Sequence, residues 1–468
     1  VDFDYGSGIG LDAAGNIYLL ASSLLDTPFD YDPGPGEAFL APAPGVWLNT
    51  VIAKYDNDGN YLWAKLVQNA DPRALAVDNN GNTYFSGQFS GTDVDFDPGS
   101  GTAYLSSPVD DYDIFMARFD ADGNYVWAKR MGGTSFESTW DIALAPDGSV
   151  CLGGEFDGDD ADFDPGPGEA ILPYVKQGDL FVAKYTPDGD YLWARSAGGK
   201  GSEEVRGLAV DSNGDIYVAG IFFGQNDDFD SGPGTIILNS AEDTSDLFIA
   251  KYSASGNMLW IREFGENDQY EQCFDLDLDA NGGIYIAGNS RSSNLITGKS
   301  DIYVAKFDNS GNNVGAAGAG MDTYGVCAYG DGQVIICGSF YSTVDFDPSA
   351  DVQERSSHYQ YGDLFFAHYD FSGLTATADP FDDGAQLLQN RPNPFIGQTS
   401  IGFVLPEACA AQLRVIDAAG RVLFFQQKNY AAGKHEETLD LTGATGVLWY
   451  ELTTPTGVLT RKMIAFNK

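Results

Sequence analysis

The sequence is poor in basic residues and in long apolar runs. Its 468 residues include 25 Lys and Arg against 68 Asp and Glu, which gives a formal net charge of −43. Phosphate backbones and anionic lipid repel such a chain, so nucleic-acid binding and docking on an anionic membrane are disfavoured. No apolar run approaches the ~20 residues that a membrane-spanning helix needs. No initiator Met or signal peptide precedes Val1, so we expect that a leader has been removed or that the chain begins inside a longer protein.

Residues for the commonest catalytic sites are also scarce. The sequence has three histidines and five cysteines, and it shows no Ser-His-Asp order, no HExxH helix and no CxxC pair. His368 stands where other repeats carry Lys or Arg, so we interpret it as a surface substitution. Cys327 and Cys337 lie on neighbouring strands of one predicted hairpin, which leaves a disulfide between them open.

A repeated phrase is typical of two strands around a turn. In Leu180–Arg195 the residues of the strands alternate with a period of two, and Thr186-Pro187-Asp188-Gly189 reverses the chain. The phrase recurs at Val51–Lys65, Ile114–Lys129 and Leu247–Arg262, and more weakly at Ile302–Gly315 and Leu364–Gly373.

A second hairpin phrase precedes each copy of the first. Gly207–Gly220 (GLAVDSNGDIYVAG) is one example. Two hairpins make a four-stranded antiparallel unit, and such units in tandem without helices indicate a β-propeller. We predict an all-β fold with six blades over residues 1–378; a stacked β-solenoid is the rival architecture. The phrase resembles bacterial β-propeller repeats with the core D-x-x-G-N-I-Y-V-x-G, a resemblance that implies the fold and little about activity.

A third, acidic phrase sits between the two hairpins of every unit except the fifth. In Ala161–Glu169 (ADFDPGPGE), Asp162 and Asp164 project to one side of an extended chain while Phe163 can anchor in the core. Paired carboxylates and Pro-Gly carbonyls are ligands that Ca²⁺ accepts, whereas capping of turns by Asp side chains is the alternative. The candidate Ca²⁺ ligands are Asp93, Asp95, Asp97, Asp160, Asp162, Asp164, Asp227, Asp228 and Asp230.

Tryptophan and basic residues recur at fixed strand positions. Trp63, Trp127, Trp193 and Trp260 could stack on sugar rings, but a residue fixed in every blade favours inter-blade core. The recurring cations are expected to have a structural role and to pair with the acidic phrases, and they are Lys54, Arg118, Lys184, Lys251 and Lys306.

The balance of acidic and basic residues in the chain changes near residue 379. From Phe381 onward it holds eight acidic and eight basic residues, so the preceding part carries 60 of the 68 acidic residues and 17 of the 25 basic ones. We expect a polar linker over 379–386 and then six or seven short alternating strands over 387–468, which indicate a small immunoglobulin-like β-sandwich.

This last module resembles the type A C-terminal sorting domain of the type IX secretion system. The resemblance rests on the PNPF run, on a turn from Asp417, on the strand Gly446–Leu452 and on the terminal Arg461-Lys462-Met463, with Trp449 where Tyr or Phe is usual. The matching motif residues are Pro392, Asn393, Pro394, Phe395, Gly420, Arg421, Gly446 and Lys462. The resemblance implies export across the outer membrane to the cell surface, with a translocon, an outer-membrane shuttle and a sortase as partners.

Three functions remain open at this point. The leading prediction is a non-enzymatic binding or structural scaffold on the cell surface, with a glycan or a surface protein as ligand. A polysaccharide hydrolase or lyase would need a non-repeated cluster of carboxylate, Tyr or His side chains at one end of the channel. An adhesin or coat subunit would self-associate through blade edges.

Overall fold

The fold is all-β, as the sequence predicted. A computed structural model describes residues 4–24, 28–44, 46, 48–107, 111–229, 235–240, 244–265, 270–289, 302–318, 322–330, 332–340, 343–345, 354–356, 363–371, 386–387, 390, 395–405, 408–417, 421–455 and 457–465. All the regular secondary structure in these ranges consists of β-strands. Accordingly, no helix there is long and apolar enough to cross a membrane.

The strands of the repeat region follow one order, blade by blade. Blade 1 holds β1 (Asp4–Leu11), β2 (Ile17–Ser23), β3 (Phe29–Asp30), β4 (Phe39–Leu40), β5 (Asn49–Tyr55) and β6 (Tyr61–Gln68). Blade 2 holds β7 (Ala70–Val77), β8 (Thr83–Phe89), β9 (Val94–Asp95), β10 (Tyr104–Leu105), β11 (Asp113–Phe119) and β12 (Tyr125–Met131). Blade 3 holds β13 (Glu137–Leu144), β14 (Val150–Phe156), β15 (Asp179–Tyr185) and β16 (Tyr191–Ala197).

The remaining blades repeat this order. Blade 4 holds β17 (Glu203–Val210), β18 (Ile216–Phe222), β19 (Gln225–Asp228), β20 (Ile237–Asn239), β21 (Asp246–Tyr252) and β22 (Met258–Phe264). Blade 5 holds β23 (Gln272–Leu278), β24 (Ile284–Asn289), β25 (Ile302–Phe307) and β26 (Asn313–Gly318). Blade 6 holds β27 (Asp322–Ala328), β28 (Gln333–Phe340), β29 (Thr343–Asp345), β30 (Glu354–Ser356) and β31 (Asp363–Asp370).

The main sheet of each blade is antiparallel and is built from the two predicted hairpins. This sheet has four strands in blades 1 to 5, in orders such as β13-β14-β15-β16, and the described part of blade 6 has three, β27-β28-β31. The first strand of each blade contacts the first strand of the next, from β1 through β7, β13, β17 and β23 to β27. These six inner strands are therefore neighbours, as the innermost strands of a multi-bladed β-propeller are.

The blades are joined by side chains that reach across each junction. The indole Nε1 atoms of Trp63, Trp127 and Trp193 donate hydrogen bonds to the carbonyl oxygens of Ala121, Pro187 and Ala254, at 3.1, 3.2 and 3.2 Å. Each acceptor lies in the outer turn of the following blade. At Gly256, where φ is +79°, a Cβ atom would lie 2.7 Å from the Trp193 ring, so glycine serves both the turn and the packing. The interpretation as inter-blade core is confirmed for Trp63, Trp127 and Trp193.

The acidic phrases form small hairpins inside the blades. β9 pairs with β10, and β19 pairs with β20. Phe163 is fully buried, with its ring centroid 4.7 Å from that of Phe181, so the predicted anchoring of this residue is confirmed. The connection of blade 5 lies largely outside the described residues.

The C-terminal strands form a β-sandwich. They are β32 (Gln386–Leu387), β33 (Gln398–Leu405), β34 (Cys409–Asp417), β35 (Val422–Tyr430), β36 (Gly433–Asp440), β37 (Gly446–Thr454) and β38 (Gly457–Ala465). One sheet has the order β32-β33-β36 and the other β35-β34-β37-β38. Phe403 from the first sheet and Tyr450 from the second belong to one buried core, as the alternating strands predicted.

The chain divides into two compact units. One comprises 1–306 with 316–372, and the other comprises 307–315 with 373–468.

Candidate functional site: the bulges of the inner strands

All six inner strands carry a β-bulge at the same place. In β13, for example, Thr139 pairs with Gly154 and Asp141 pairs with Gly153, which leaves Trp140 as an extra residue. A bulge turns its extra side chain away from the regular alternation and is common beside binding sites. The extra residues differ from blade to blade, and we call them the bulge set: Ser7, Arg73, Trp140, Arg206, Phe274 and Tyr324.

Three members of the bulge set form a stack of cation, aromatic ring and cation. The guanidinium carbon of Arg206 lies 3.8 Å from the centre of the Trp140 ring, and that of Arg73 lies 4.7 Å from it. Both arginines are also held by carboxylates of their own strands: Arg73 pairs with Asp71 at 3.0 Å, and Arg206 pairs with Glu204. The stack is therefore ordered before any ligand arrives.

Two further members of the bulge set add aromatic rings. The rings of Phe274 and Tyr324 pack edge to face with centroids 6.1 Å apart. Tyr324 is 53% exposed, and its hydroxyl lies 3.1 Å from the Ser339 hydroxyl. The bulge set thus presents aromatic rings and two guanidinium groups in a chain of −43 net charge.

Carboxyl groups follow the bulge set in β13 and β23. Asp141 accepts a hydrogen bond from the Leu208 N–H at 2.6 Å, and Asp275 accepts one from the Val326 N–H at 2.8 Å. Both aspartates keep part of their surface accessible. Burial, and then the negative charge of Asp275, raises the pKa of Asp141, and burial raises the pKa of Asp275 to about 7.

Glu155 gives the stack a group that can titrate. Its Oε1 accepts a hydrogen bond from the Trp140 Nε1 at 3.2 Å. Burial, and then repulsion by Glu204, raises the pKa of Glu155 to about 7. A carboxyl with this pKa can hold or release a proton near neutral pH.

The acidic phrases cap their own turns. Oδ1 of Asp162 accepts the N–H groups of Asp164 and Ala170 at 3.0 and 2.8 Å, and Oδ1 of Asp164 accepts the Gly166 N–H at 2.8 Å. In blade 2, Asp95 and Asp97 make the same set of contacts.

The other proposed Ca²⁺ ligands differ in their surroundings. Asp93 has a φ of 56° and donates its N–H to Ser106, and Asp228 accepts the Ile236 N–H. Asp160 and Asp227 instead accept the N–H groups of Thr134 and Lys200 in neighbouring loops. Asp230 lies outside the described residues. No group of three or more His, Cys, Asp or Glu side chains in the described ranges already has the arrangement of a metal shell, and Ca²⁺ at these phrases stays a prediction.

The recurring cations pair with the aspartates of the D-x-x-G turns. Lys251 lies 2.9 Å from Asp215 and 3.4 Å from Asp211, and Lys306 lies 3.8 Å from Asp279. The structural role is confirmed, but the expected partners were wrong: these cations pair with aspartates at the hairpin turns and not with the acidic phrases. His368 is exposed, as expected, and its Nε2 lies 2.6 Å from Gln333. Cys327 and Cys337 are not bonded to each other.

The residues that resemble a sorting motif lie along the sandwich. Phe395 is buried and bridges to Ala465, and Arg421 forms an ion pair with Asp417 at 2.6 Å. Gly446 begins β37 with a φ of +83°, and Lys462 pairs in register with Trp449. Pro392, Asn393, Pro394 and Gly420 lie outside the described residues.

Comparisons with known proteins support a repeat protein and leave the activity open. No family model matches the chain. An uncharacterized WD repeat-containing protein of Acanthamoeba polyphaga mimivirus is 25% identical over 178 residues, and the regulatory protein FlaEY of Caulobacter vibrioides is 27% identical over 186. These matches cover 36% and 38% of this chain, but only 13% and 18% of the two relatives.

Two solved structures are similar at low identity. A gluconolactonase of Xanthomonas campestris matches 71% of this chain and 83% of its own, with 14% identity and a TM-score of 0.35. A protein of unknown function from Dyadobacter fermentans matches 93% of this chain and 95% of its own, with 10% identity and a TM-score of 0.31. Likeness at this level says nothing about the reaction or the ligand of this chain.

Proposed function

We propose that this chain is an exported cell-surface protein whose propeller binds an anionic glycan through the bulge set. The observation that supports binding is the contrast between a repeated scaffold and a non-repeated set of side chains at one position. A purely structural repeat has no need for Arg, Trp, Arg, Phe and Tyr at equivalent bulges of successive blades. A ligand-binding channel does, because a ligand is not six-fold symmetric.

The chemistry of the bulge set favours a sugar that carries carboxylates. An exposed aromatic ring such as Tyr324 can stack on the apolar face of a sugar ring, and guanidinium groups bind carboxylates with paired hydrogen bonds. The stack of Arg73, Trp140 and Arg206 presents the guanidinium groups, and Tyr324, another member of the bulge set, presents an exposed ring. A uronic acid polymer matches this pairing better than a neutral glucan.

A titration of uronic acid oligosaccharides into the protein tests the binding proposal. Trp140→Ala and Arg206→Ala should each weaken binding about tenfold or more, because the first removes the ring that orders the two guanidinium groups and the second removes a charge contact. Arg262→Ala is a matched control, since Arg262 also lies over a tryptophan, Trp260, at 5.7 Å, but in an outer strand. Equal affinity of all three variants and the parent would contradict the proposal, as would equal binding of a neutral oligosaccharide.

Export is proposed on separate support. The resemblance of residues 387–468 to a type IX sorting domain and the seven-stranded sandwich of these residues both fit a cargo that a translocon recognises. The proposed partners are the translocon, the shuttle and the sortase, and the proposed location is the cell surface.

A second candidate function is hydrolysis or elimination of the same polysaccharide. The observation that favours it is Glu155, whose pKa of about 7 suits a proton donor and which is hydrogen-bonded to Trp140. A catalytic role predicts that Glu155→Gln abolishes product release and leaves binding intact. If the parent releases no new chain ends from any uronic acid polymer that it binds, the scaffold function stands alone.

A further inference from the structure

Buried carboxylates meet at the junction between blades 3 and 4. Asp179 begins β15, Glu203 begins β17, and Asp227 lies in β19; their relative exposures are 1%, 0% and 0%. All three border the Gly198–Gly199 loop. A Cβ atom on Gly198 would lie 2.5 Å from Oδ1 of Asp179 and 2.8 Å from Oε2 of Glu203, and one on Gly199 would clash with Asp227. The two glycines thus leave room for carboxylates at this place.

Each of these carboxylates has one oxygen that is bonded and one that is not. Oδ2 of Asp179 accepts the Val175 N–H at 2.8 Å, Oε2 of Glu203 accepts the Gly199 N–H at 3.2 Å, and Oδ1 of Asp227 accepts the Lys200 N–H at 3.1 Å. The buried second oxygens, Oδ1, Oε1 and Oδ2 respectively, accept no hydrogen bond from an amide, a hydroxyl or a cation, and the carboxyls of Glu203 and Asp227 lie against each other.

Among the residues that the structure describes, no charged partner compensates this cluster. Within the described part of the chain, no Lys, Arg or His forms an ion pair with any of the three carboxylates. Burial, and then repulsion by Asp227 and Asp179, raises the pKa of Glu203 to about 9. Buried carboxylates without donors or cations are costly, so the site calls for a positive group.

The preceding junction shows what such a positive group looks like. Between blades 2 and 3, Asp113 and Glu137 occupy the equivalent positions, and both are buried. Here Arg130 lies against Asp113, with Nε 2.6 Å from Oδ2 and Nη2 3.1 Å from Oδ1.

The chain replaces this arginine with a serine at the next junction. Arg130 pairs in register with Phe115, and the residue that pairs with the equivalent Phe181 is Ser196. Ser196 donates its hydroxyl to the Pro173 carbonyl and carries no charge. The same carboxylate pair therefore has a built-in cation in one junction and none in the other.

We propose that a Ca²⁺ ion bound by Asp179, Glu203 and Asp227 takes, between blades 3 and 4, the place that the Arg130 guanidinium has between blades 2 and 3. Binding requires the unbonded oxygens of the three side chains to turn toward one point. Ca²⁺ accepts six to eight oxygen ligands in flexible geometry, so main-chain carbonyls and water complete a shell that three carboxylates begin. Mg²⁺ demands near-ideal octahedral geometry and dehydrates reluctantly, so it suits the site less well. This proposal is independent of the glycan site.

Counting bound ions in single variants of the full chain tests the proposal. The measurement is calorimetric titration of the chelator-treated protein with CaCl₂ at fixed ionic strength, with MgCl₂ as a parallel titrant. Glu203→Gln and Ser196→Arg should each bind one ion fewer than the parent, the first by losing a ligand and the second by supplying the cation. Arg130→Ser should bind one ion more, because it leaves Asp113 and Glu137 without their cation, and Asp160 lies against Gly133 there as Asp227 lies against Gly199 here.

Two of the three variants still test the proposal if the third does not fold. If Glu203→Gln fails to fold, as shown by its near-ultraviolet circular dichroism, Ser196→Arg and Arg130→Ser still report on the two junctions. Unchanged Ca²⁺ stoichiometry in both would overturn the proposal, and so would equal binding of Mg²⁺ and Ca²⁺ by the parent. The proposal would also be overturned if the parent bound no Ca²⁺ and its melting temperature depended on pH alone. Protons would then be what neutralises the three carboxylates.

Discussion

The indole Nε1 of Trp193 donates a hydrogen bond to the carbonyl oxygen of Ala254 at 3.2 Å, across 61 residues of chain. The donor belongs to blade 3 and the acceptor to the outer turn of blade 4. Trp63 and Trp127 repeat this relationship at the two preceding junctions. Each of these blades therefore stabilises the following one through a polar contact as well as through packing.

Trp193→Phe should destabilise the propeller, because it removes this donor and leaves a partly buried carbonyl without a partner. We expect a loss of about 1–3 kcal/mol in the free energy of unfolding, measured by urea denaturation. Leu192→Ala serves as the control, since Leu192 is 46% exposed in the same strand. An effect of Trp193→Phe no larger than that of the control would contradict the junction role.

Binding of a uronic acid oligosaccharide should weaken as salt rises. The proposed contacts include the guanidinium groups of Arg73 and Arg206, which are only partly buried, and salt screens such charges. Titrations at low and high NaCl concentration should show a falling affinity for the parent and a smaller fall for Arg206→Ala. Identical salt dependence of the two proteins would remove Arg206 from the binding contacts.

The stability of the propeller should fall less steeply with pH once Glu155 is made neutral. Its pKa in the folded protein, about 7, lies above its ordinary value of 4.5, so the folded state binds more protons than the unfolded state between these values. Glu155 therefore favours folding below about pH 4.5 and loses that contribution as pH rises through 7.

Glu155→Gln retains an oxygen that can accept the Trp140 N–H bond and removes the titration. Relative to the parent, its free energy of unfolding should rise by about 1–3 kcal/mol between roughly pH 5 and pH 8. Parallel pH profiles of the two proteins would show that Glu155 ionises normally.

Asp162→Asn separates turn capping from Ca²⁺ binding in the acidic phrase. The amide oxygen that this substitution introduces can still accept the N–H groups of Asp164 and Ala170, so capping alone predicts a small change in melting temperature. A Ca²⁺ site predicts that the variant loses a Ca²⁺-specific rise in melting temperature that the parent shows over Mg²⁺. Equal responses of both proteins to Ca²⁺, Mg²⁺ and NaCl would leave these aspartates as turn caps.

Deletion of residues 387–468 should stop surface delivery without unfolding the propeller. If this module is the signal that the translocon reads, the truncated chain should accumulate in the periplasm, which cell fractionation with a periplasmic marker can show. The full chain in the same strain is the control. Normal arrival of the truncated chain at the surface would refute the export proposal.

The blades were predictable because their turns have a local cause. In the first turn, Oδ1 of Asp12 accepts the N–H groups of Ala14 and Asn16 at 2.9 and 3.0 Å, and Gly15 has a φ of +79°. Aspartate and glycine at fixed spacing therefore specify the hairpin by themselves. Once these turns are located, the alternating residues on either side identify the two strands of each hairpin.

The bulge set could not be predicted in the same way. A bulge adds one residue to a strand, and an alternating pattern with one extra residue looks like an ordinary irregularity. A signal does exist: when the repeats are aligned, the residue after Thr139 or Val205 varies in type from blade to blade, while the residue before it stays small or apolar. The stack of Arg73, Trp140 and Arg206 depends on contacts between blades, which no single repeat contains.

The buried carboxylates were missed for a related reason. Glu137, Glu203 and Glu271 each come at or just before the start of an inner strand, where a sequence pattern suggests an exposed loop. Their relative exposure is 0% only because the preceding blade covers them. The sequence does show that glutamate recurs at this position, but only the structure shows that the neighbouring blade buries it.

The bulges separate what varies in this protein from what holds it together. Because a bulged residue lies outside the regular pairing of its strand, its replacement leaves the hydrogen-bond ladder of that strand untouched. Selection can therefore change the ligand of such a propeller by single substitutions at Ser7, Arg73, Trp140, Arg206, Phe274 and Tyr324. The same six positions define a compact library for laboratory evolution, in which new specificities would be sought on an unchanged scaffold.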